Sequence, residues 1–254
     1  MRFGEVFSKS WKEYTSNWQF FAVIVLALVF IPNIIVSLVA IPVSLQLSNI
    51  GQDLSEIFAI LFSPMSMLVA IVGLISILLS IWASASMIYY SLSKKKNMSV
   101  KEALDGGRKY FWKYLGYNIV QGFFVIMLFI AFIIPGIIFS VFWVFGPFIL
   151  IGENKRILES LGESYRLVSG RWWKVLGWGL LFILMVIGVS FVVAMISFII
   201  TSLSSLMWAS LISPAAMMVT TNIVSKTITL LTQFVVGPMS VLFLKNFYLD
   251  LKKN

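Results

Sequence analysis

The sequence lacks the side chains that most enzymes use for chemistry. It contains no histidine and no cysteine, so the commonest general base, the commonest metal ligand and every thiolate nucleophile are absent. Glu5, Glu102 and Glu159 each fall in the first turn of a predicted amphipathic helix, where a carboxylate interacts favourably with the positive end of the helix dipole. We therefore expect a protein that is not an enzyme and that has no catalytic residue, no metal site and no cofactor.

Polar residues form one row in a long apolar segment near the C-terminus. Spacings of four, three, four, four and three residues place them on one helical face: Asn222, Lys226, Thr229, Gln233, Gly237 and Ser240. Asn118 and Gln121, three residues apart in an earlier apolar segment, also share a face and could meet this row. Polar residues inside a bilayer either bond helices together or line a ligand or solute path. Both interpretations stay open, and one version of the second places an anionic lipid around Asn222 and Lys226.

A basic and aromatic cluster opens another apolar segment. It consists of Arg171, Trp172, Trp173 and Lys174. Side chains with an apolar body and a polar or charged tip are well accommodated at a membrane surface. The cluster therefore predicts either an interfacial anchor or a lipid headgroup site in which Arg171 and Lys174 contact a phosphate.

The composition is that of an integral membrane protein. Hydrophobic residues make up 60% of the chain and charged residues 11%, whereas about a quarter of the residues in soluble domains are charged. The net charge of +9 comes from Lys and Arg residues gathered between the apolar segments. It is explained by membrane orientation and by contact with anionic lipid, and we expect no nucleic acid partner.

Six apolar segments are long enough to cross a bilayer, which requires roughly 20 residues for a helix. The predicted spans cover residues 18–47, 65–92, 115–134, 135–151, 172–203 and 216–247. Pro32 and Pro42 are expected to kink the first span rather than end it. The predicted fold class is an all-α integral membrane protein, with residues 1–254 forming a single transmembrane domain.

The distribution of positive charge sets the predicted topology. A hairpin turned at Pro135 and Gly136 keeps the basic segments 94–113 and 155–174 on one side of the membrane. Lys and Arg concentrate in cytoplasmic connections, so both termini and every basic residue except Lys226 are expected on the cytoplasmic side.

Amphipathic segments precede three of the spans and are expected to lie along the membrane surface. They cover residues 1–17, 99–113 and 155–171. The first and third carry matching apolar rows 154 residues apart, namely Phe3, Phe7, Trp11, Tyr14 and Trp18, and Ile157, Leu161, Tyr165, Val168 and Trp172. The middle copy matches less well, but Ser99 followed by Glu102 predicts a capping box at its start. We interpret the pattern as an internal repeat, although any amphipathic helix entering a bilayer would show a similar pattern.

The order of these segments is similar to that of a known family. A span containing proline, an Ile- and Val-rich run, the pair GE and the helix LGESYRLVSGRWWKVLG resemble the glycerophosphoryl diester phosphodiesterase membrane-domain family of bacteria and archaea. The opening FGEVFSKSWKEYTSNW and the closing VLFLKNFYLDLKKN resemble that family's termini. The resemblance implies a polytopic protein of a prokaryotic plasma membrane. We expect no soluble phosphodiesterase domain and do not transfer that activity.

Three functions remain open at the level of sequence. The amphipathic helices favour a non-catalytic protein that binds lipid, mostly anionic, or organises the membrane. A small channel or transporter would use the polar row of the last span. A third alternative is a membrane anchor or partner module for an enzyme of lipid metabolism. The sequence is compatible with a homo-oligomer or with a membrane-protein partner.

Overall fold

The computed structural model describes residues 2–48, 54–93, 95, 98–208 and 214–253, without the side chains of 48, 204–208, 214–219, 222, 226 and 229. All regular secondary structure in these ranges is helical. The α-helices are α1 (Phe3–Ser16), α2 (Trp18–Val25), α3 (Ile31–Val39), α4 (Ile41–Ser48), α5 (Leu54–Leu61), α6 (Pro64–Leu92), α7 (Val100–Ala131), α8 (Ile133–Phe142), α9 (Gly146–Gly152), α10 (Ile157–Val168), α11 (Trp172–Trp208), α12 (Pro214–Leu231) and α13 (Gln233–Lys253).

Six helical segments within the described ranges are long and apolar enough to cross a membrane. They are Trp18–Val39, Pro64–Leu92, Val100–Ala131, Ile133–Gly152, Trp172–Leu203 and Gln233–Lys253. The predictions of an all-helical chain and of six such segments are therefore confirmed. The bounds differ most at the last segment, because residues 216–247 belong to two helices that are separated at Thr232.

The first apolar segment contains two prolines, both expected to kink one span; the span runs through Pro32 but ends at Val39, before Pro42. A π-helical turn over Leu26–Phe30 precedes α3, and Pro32 is the second residue of that helix. Pro42 likewise is the second residue of α4. A proline in the first turn of a helix lacks an N–H that would have no partner inside that helix, which makes both positions tolerant of proline. The side-chain amide of Asn33 donates to the Val29 carbonyl at 2.8 Å and so provides that carbonyl with a donor.

Helices α7 and α8 form the predicted hairpin. Phe132 between them has extended backbone angles, and a Cβ built on Gly136 would lie 2.6 Å from the Phe129 ring. Further along, the rings of Phe124 and Trp143 are 6.3 Å apart. These pairings show that the two helices run antiparallel. The turn lies at Phe132, three residues before the predicted position at Pro135. Pro135 is the third residue of α8, and a proline there removes no intrahelical hydrogen bond, so the helix can begin before it.

The chain contains two compact units, and the first comprises Met1–Ile24, Ile81–Val186 and Val236–Asn254. Its core is built largely from aromatic side chains. Phe247 of α13 stacks on Trp178 at 4.5 Å and meets Phe145 edge-on at 5.4 Å, while Phe243 stacks on Phe182 at 4.5 Å. This packing fixes the end of α13 against α11 and against the turn before α9.

The second unit comprises Val25–Ser80 and Ile187–Val235. Within it α3 contacts α12 and α4 contacts α5. The ring of Phe30, at the end of the π-helical turn, lies 5.5 Å from that of Phe234 at the start of α13. Many of its large apolar side chains are exposed, among them Ile71, Leu74, Phe191 and Phe198. An extended exposed apolar surface of this kind is what a lipid-facing helix presents.

Candidate functional site at the charged end

The last three turns of α13 form the centre of a charged cluster in the first unit. The sequence predicts a span that ends at residue 247, but the helix continues to Lys253. Lys245, Asn246 and Asp250 are at most 5% exposed. Charged side chains are seldom buried unless they are paired, so the neighbours of these residues decide what this end of the molecule can do.

The N-terminal helix supplies the partners of the first two residues. Lys245 Nζ donates to Glu13 Oε2 at 2.6 Å, and Asn246 Nδ2 donates to the same oxygen at 3.2 Å. Asn246 Nδ2 also donates to the buried Ser10 Oγ at 3.0 Å. The two ends of the chain are therefore joined by a hydrogen-bonded ion pair.

A second group of contacts lies around Glu153, just after α9. Its Oε1 accepts from Tyr248 Oη and from Lys252 Nζ, each at 2.7 Å. Lys155 pairs with Glu153 at 3.5 Å and also with Glu163 of α10. Burial alone would raise the pKa of the Glu153 carboxyl, but the hydrogen bonds from Lys252 and Tyr248 and the nearby positive charges together lower it. The carboxylate is thus a fixed anchor for α13.

The predicted headgroup cluster is engaged inside the protein. Arg171 Nη1 donates to the Leu251 carbonyl at 2.7 Å, and Lys174 pairs with Asp250 Oδ2 at 3.4 Å while lying over the Trp178 ring. Trp172 Nε1 donates to the Ile138 carbonyl at 3.3 Å.

Within the same cluster, Trp173 is 80% exposed. The geometry gives Arg171, Trp172 and Lys174 a structural role at the start of α11. The side chain that projects outward is Trp173, in keeping with an interfacial anchor.

The predicted polar row is only partly within the described residues, since the side chains of Asn222, Lys226 and Thr229 lie outside them. Asn118 Nδ2 donates to the Tyr114 carbonyl at 2.7 Å and Ser240 Oγ to the Val236 carbonyl at 2.6 Å. Each of these bonds stays within one helix. Gln121 is half-buried and Gln233 is exposed. Among the described side chains, no hydrogen bond between helices joins the row to Asn118 or Gln121.

The three segments predicted to be amphipathic begin with the same type of cap, but the middle one, predicted as a separate helix over 99–113, is continuous with the apolar part of α7. The backbone N–H of Arg2 donates to Glu5 Oε2 at 3.1 Å, and that of Arg156 donates to Glu159 Oε2 at 3.2 Å. In the predicted capping box, Ser99 Oγ accepts the Glu102 N–H at 3.2 Å, which confirms that prediction. The shared cap concerns local structure only, and the internal repeat stays a prediction.

The exposed side chains at this end are mainly basic and aromatic. Exposed cations without a carboxylate partner among the described residues include Lys9, Lys12, Lys101, Arg108, Lys109 and Arg166. Trp112 is 76% exposed. Two cavities open here: one of about 370 Å³ beside Glu153, Arg166 and Lys252, and one of about 500 Å³ beside Lys113 and Arg156.

Sequence reasoning missed the contacts that join Glu13 to Lys245 and Asn246, and Asp250 to Lys174. A signal was present, because polar residues recur in the otherwise apolar stretch LFLKNFYLDL. No group of three or more acidic side chains that could hold a metal ion occurs in the described ranges.

The region that contains most of these contacts matches a recognised protein family. Residues 111–251 match the family described as a domain of unknown function, DUF7847. The chain belongs to this family. The DUF7847 region runs from the middle of α7 to Leu251, so it includes the hairpin, α10, Glu153 and the charged turns of α13. No curated protein and no solved structure matches the chain.

Proposed function

We propose that this DUF7847 protein is a non-catalytic, multi-pass protein of a prokaryotic plasma membrane. It binds anionic lipid along the charged end of its first unit and organises the surrounding membrane. The proposal places both termini, α1 and α10 on the cytoplasmic side, where anionic headgroups attract basic segments. We also propose that the chain is related to the glycerophosphoryl diester phosphodiesterase membrane-domain family but lacks phosphodiesterase activity.

The division of charge at this end supports the proposal most directly. Carboxylates such as Glu13, Glu153 and Asp250 are engaged by lysines of the protein itself. Exposed lysines such as Lys101 and Lys109 have no such partner among the described residues. The exposed cations of this end outnumber its exposed carboxylates, such as Glu5 and Asp105, so it presents a net positive field to its surroundings. Trp112 and Trp173 project from the same end, and tryptophan is enriched at the level of lipid headgroups.

The test is a direct comparison of two lipids. The purified full chain is placed in nanodiscs with equal amounts of phosphatidylglycerol and phosphatidylcholine, and the lipids retained after release are counted by native mass spectrometry. We expect phosphatidylglycerol to be enriched, and the enrichment to fall as salt rises, because exposed charges are screened within about 10 Å at 0.1 M salt.

A charge-removal variant sharpens this test. Replacing Lys9, Lys12, Lys101 and Lys109 by Gln should reduce the enrichment, whereas replacing the same four residues by Arg should preserve it. Equal retention of the two lipids by the unmodified chain at low salt would contradict the proposed function.

A further inference from the structure

The cavity of about 500 Å³ lies where α7 meets the start of α10, and its walls are mostly apolar. Its lining residues are Lys113, Arg156, Ile157, Leu158 and Glu159. Leu158 is 70% exposed, so the apolar wall is open at the surface. The cavity is a groove with an apolar floor and two cations at its rim.

The sequence shapes this groove through two residues. Gly116 faces Ile157, and a Cβ added to it would lie 3.0 Å from Ile157 Cδ1, so α10 starts close against α7. Asn154 has a φ of 53°, a left-handed conformation that asparagine tolerates better than most residues. This turn brings Asn154 Oδ1 to 2.9 Å from Lys113 Nζ. Lys113 lies one helical turn before Gly116 and is held at the rim of the groove.

The two cations keep donors available for an anion. Arg156 Nε donates to Glu159 Oε1 at 2.8 Å, and Nη2 contacts the same oxygen. Among the described residues, no acceptor is bonded to Nη1 of Arg156, and one of the three ammonium protons of Lys113 is used by Asn154. Glu159 is occupied by the guanidinium and by the Arg156 N–H. With two cations and one carboxylate, the rim has a net positive charge.

The position of the groove along α7 favours a phospholipid over a soluble phosphate. Lys113 is two residues before Leu115, where the apolar part of α7 begins. A soluble phosphate would use only the rim, and it would leave Ile157 and Leu158 in contact with water. A phospholipid can place its phosphate between the two cations and its glycerol and first acyl carbons against those side chains, which removes apolar surface from water.

We propose that this groove is a specific site for one anionic phospholipid, with its phosphate bound by Lys113 and Arg156 and its chain against Ile157 and Leu158. The inference rests on the proposed function and deepens it, since it assigns one tightly held lipid to a defined place. The remaining exposed cations then attract anionic lipid less selectively.

Titration of the delipidated full chain with phosphatidylglycerol, followed by native mass spectrometry, tests the site. Replacing Lys113 and Arg156 by Gln should weaken the tightest binding event on the order of tenfold, because each basic residue near a lipid surface contributes to the attraction. The variant in which Lys101 and Arg166 become Gln removes the same charge from other exposed positions. This variant should still bind its first phosphatidylglycerol as tightly as the unmodified chain does.

A second variant separates the site from general folding defects. Leu158→Trp fills the groove but keeps every charge, and an exposed position tolerates the larger side chain. We expect it to lose the tight event while its thermal unfolding temperature and its overall preference for phosphatidylglycerol stay unchanged.

The possible failures can be distinguished. Tight binding that is unchanged in both groove variants, with phosphatidylglycerol still preferred over phosphatidylcholine, would overturn this site and leave the proposed function standing. Loss of preference in the unmodified chain would overturn the proposed function itself. Displacement of the lipid by glycerol 3-phosphate at equal concentration would assign the cations to a soluble phosphate and overturn the lipid site.

Discussion

Lys245 and Glu13 lie at opposite ends of the chain, and their side chains form an ion pair with Nζ 2.6 Å from Oε2. Lys245 is almost fully buried, while Glu13 is about one-third exposed. The pair joins α1 to α13, and the amide of Asn246 donates to the same carboxylate oxygen. Helix α1 is thus attached to α13 by specific polar contacts.

Breaking this pair should loosen α1. In Lys245→Met the Glu13 carboxylate loses its main partner, and we expect a loss of about 1–3 kcal/mol in unfolding free energy, less than for a fully buried pair because water reaches Glu13. Thermal unfolding in detergent measures the effect, and Lys12→Met, an exposed lysine on the same helix, is the control. An equal effect in both variants would show that the pair does not stabilise the fold.

The close approach of Gly146 and Tyr117 predicts a second sensitive position. A Cβ on Gly146 would overlap the Tyr117 side chain, whose hydroxyl donates to the Trp143 carbonyl at 2.7 Å. Gly146→Ala should therefore cost about 1–3 kcal/mol, the usual range for overpacking a core. Gly179→Ala, where the added atom meets open space, should be neutral or slightly stabilising. A stable Gly146→Ala variant would mean that α7 and α9 can move apart at little cost.

Acid should weaken the attachment of α13 at Glu153. The pKa of this carboxyl is lowered in the folded protein, although burial opposes the shift, because Lys252 and Tyr248 donate hydrogen bonds to it. A lowered carboxyl pKa stabilises the fold at pH values above about 4.3, the ordinary value for glutamate, and that contribution is lost as pH falls through the lower, folded value.

The pH dependence of Glu153→Gln checks this assignment. Its unfolding temperature should lie below that of the unmodified chain at pH 7, and the two curves should converge on acidification towards pH 3. Glu56→Gln, at an exposed position of α5, should follow the unmodified chain throughout. A constant difference between the Glu153→Gln and unmodified curves over the whole range would contradict a role for the ionised carboxylate.

Cysteine labelling tests the predicted orientation. The chain has no cysteine of its own, so single cysteines at Ser48, Ser99, Gly152 and Ser204 can be labelled without background. We expect Ser48 and Ser204 to react with an impermeant reagent in intact cells, and Ser99 and Gly152 to react only after permeabilisation. External labelling of Gly152 would place the two basic segments on opposite sides of the membrane.

The sequence by itself determined the helical class, the six long apolar segments, the α7–α8 hairpin and the cap at Ser99. These features depend on local composition and on residues close in the chain, where apolar run length, charge asymmetry and capping chemistry act directly. The break at Phe132 instead of Pro135 shows the limit of this reasoning, because a proline is also accommodated in the first turn of a helix.

Only the tertiary structure decided which charges are available to a ligand. Arg171 and Lys174 look like a headgroup site in the sequence, yet they are engaged by Leu251 and Asp250. Lys113 and Arg156, which form no recognisable motif, meet at one groove. The physical reason is that a charged side chain bonds to whichever partner the fold brings within hydrogen-bonding distance. Asn154 lies 41 residues from Lys113 in the chain, and Leu251 lies 80 residues from Arg171, so neither partner could be read from neighbouring sequence.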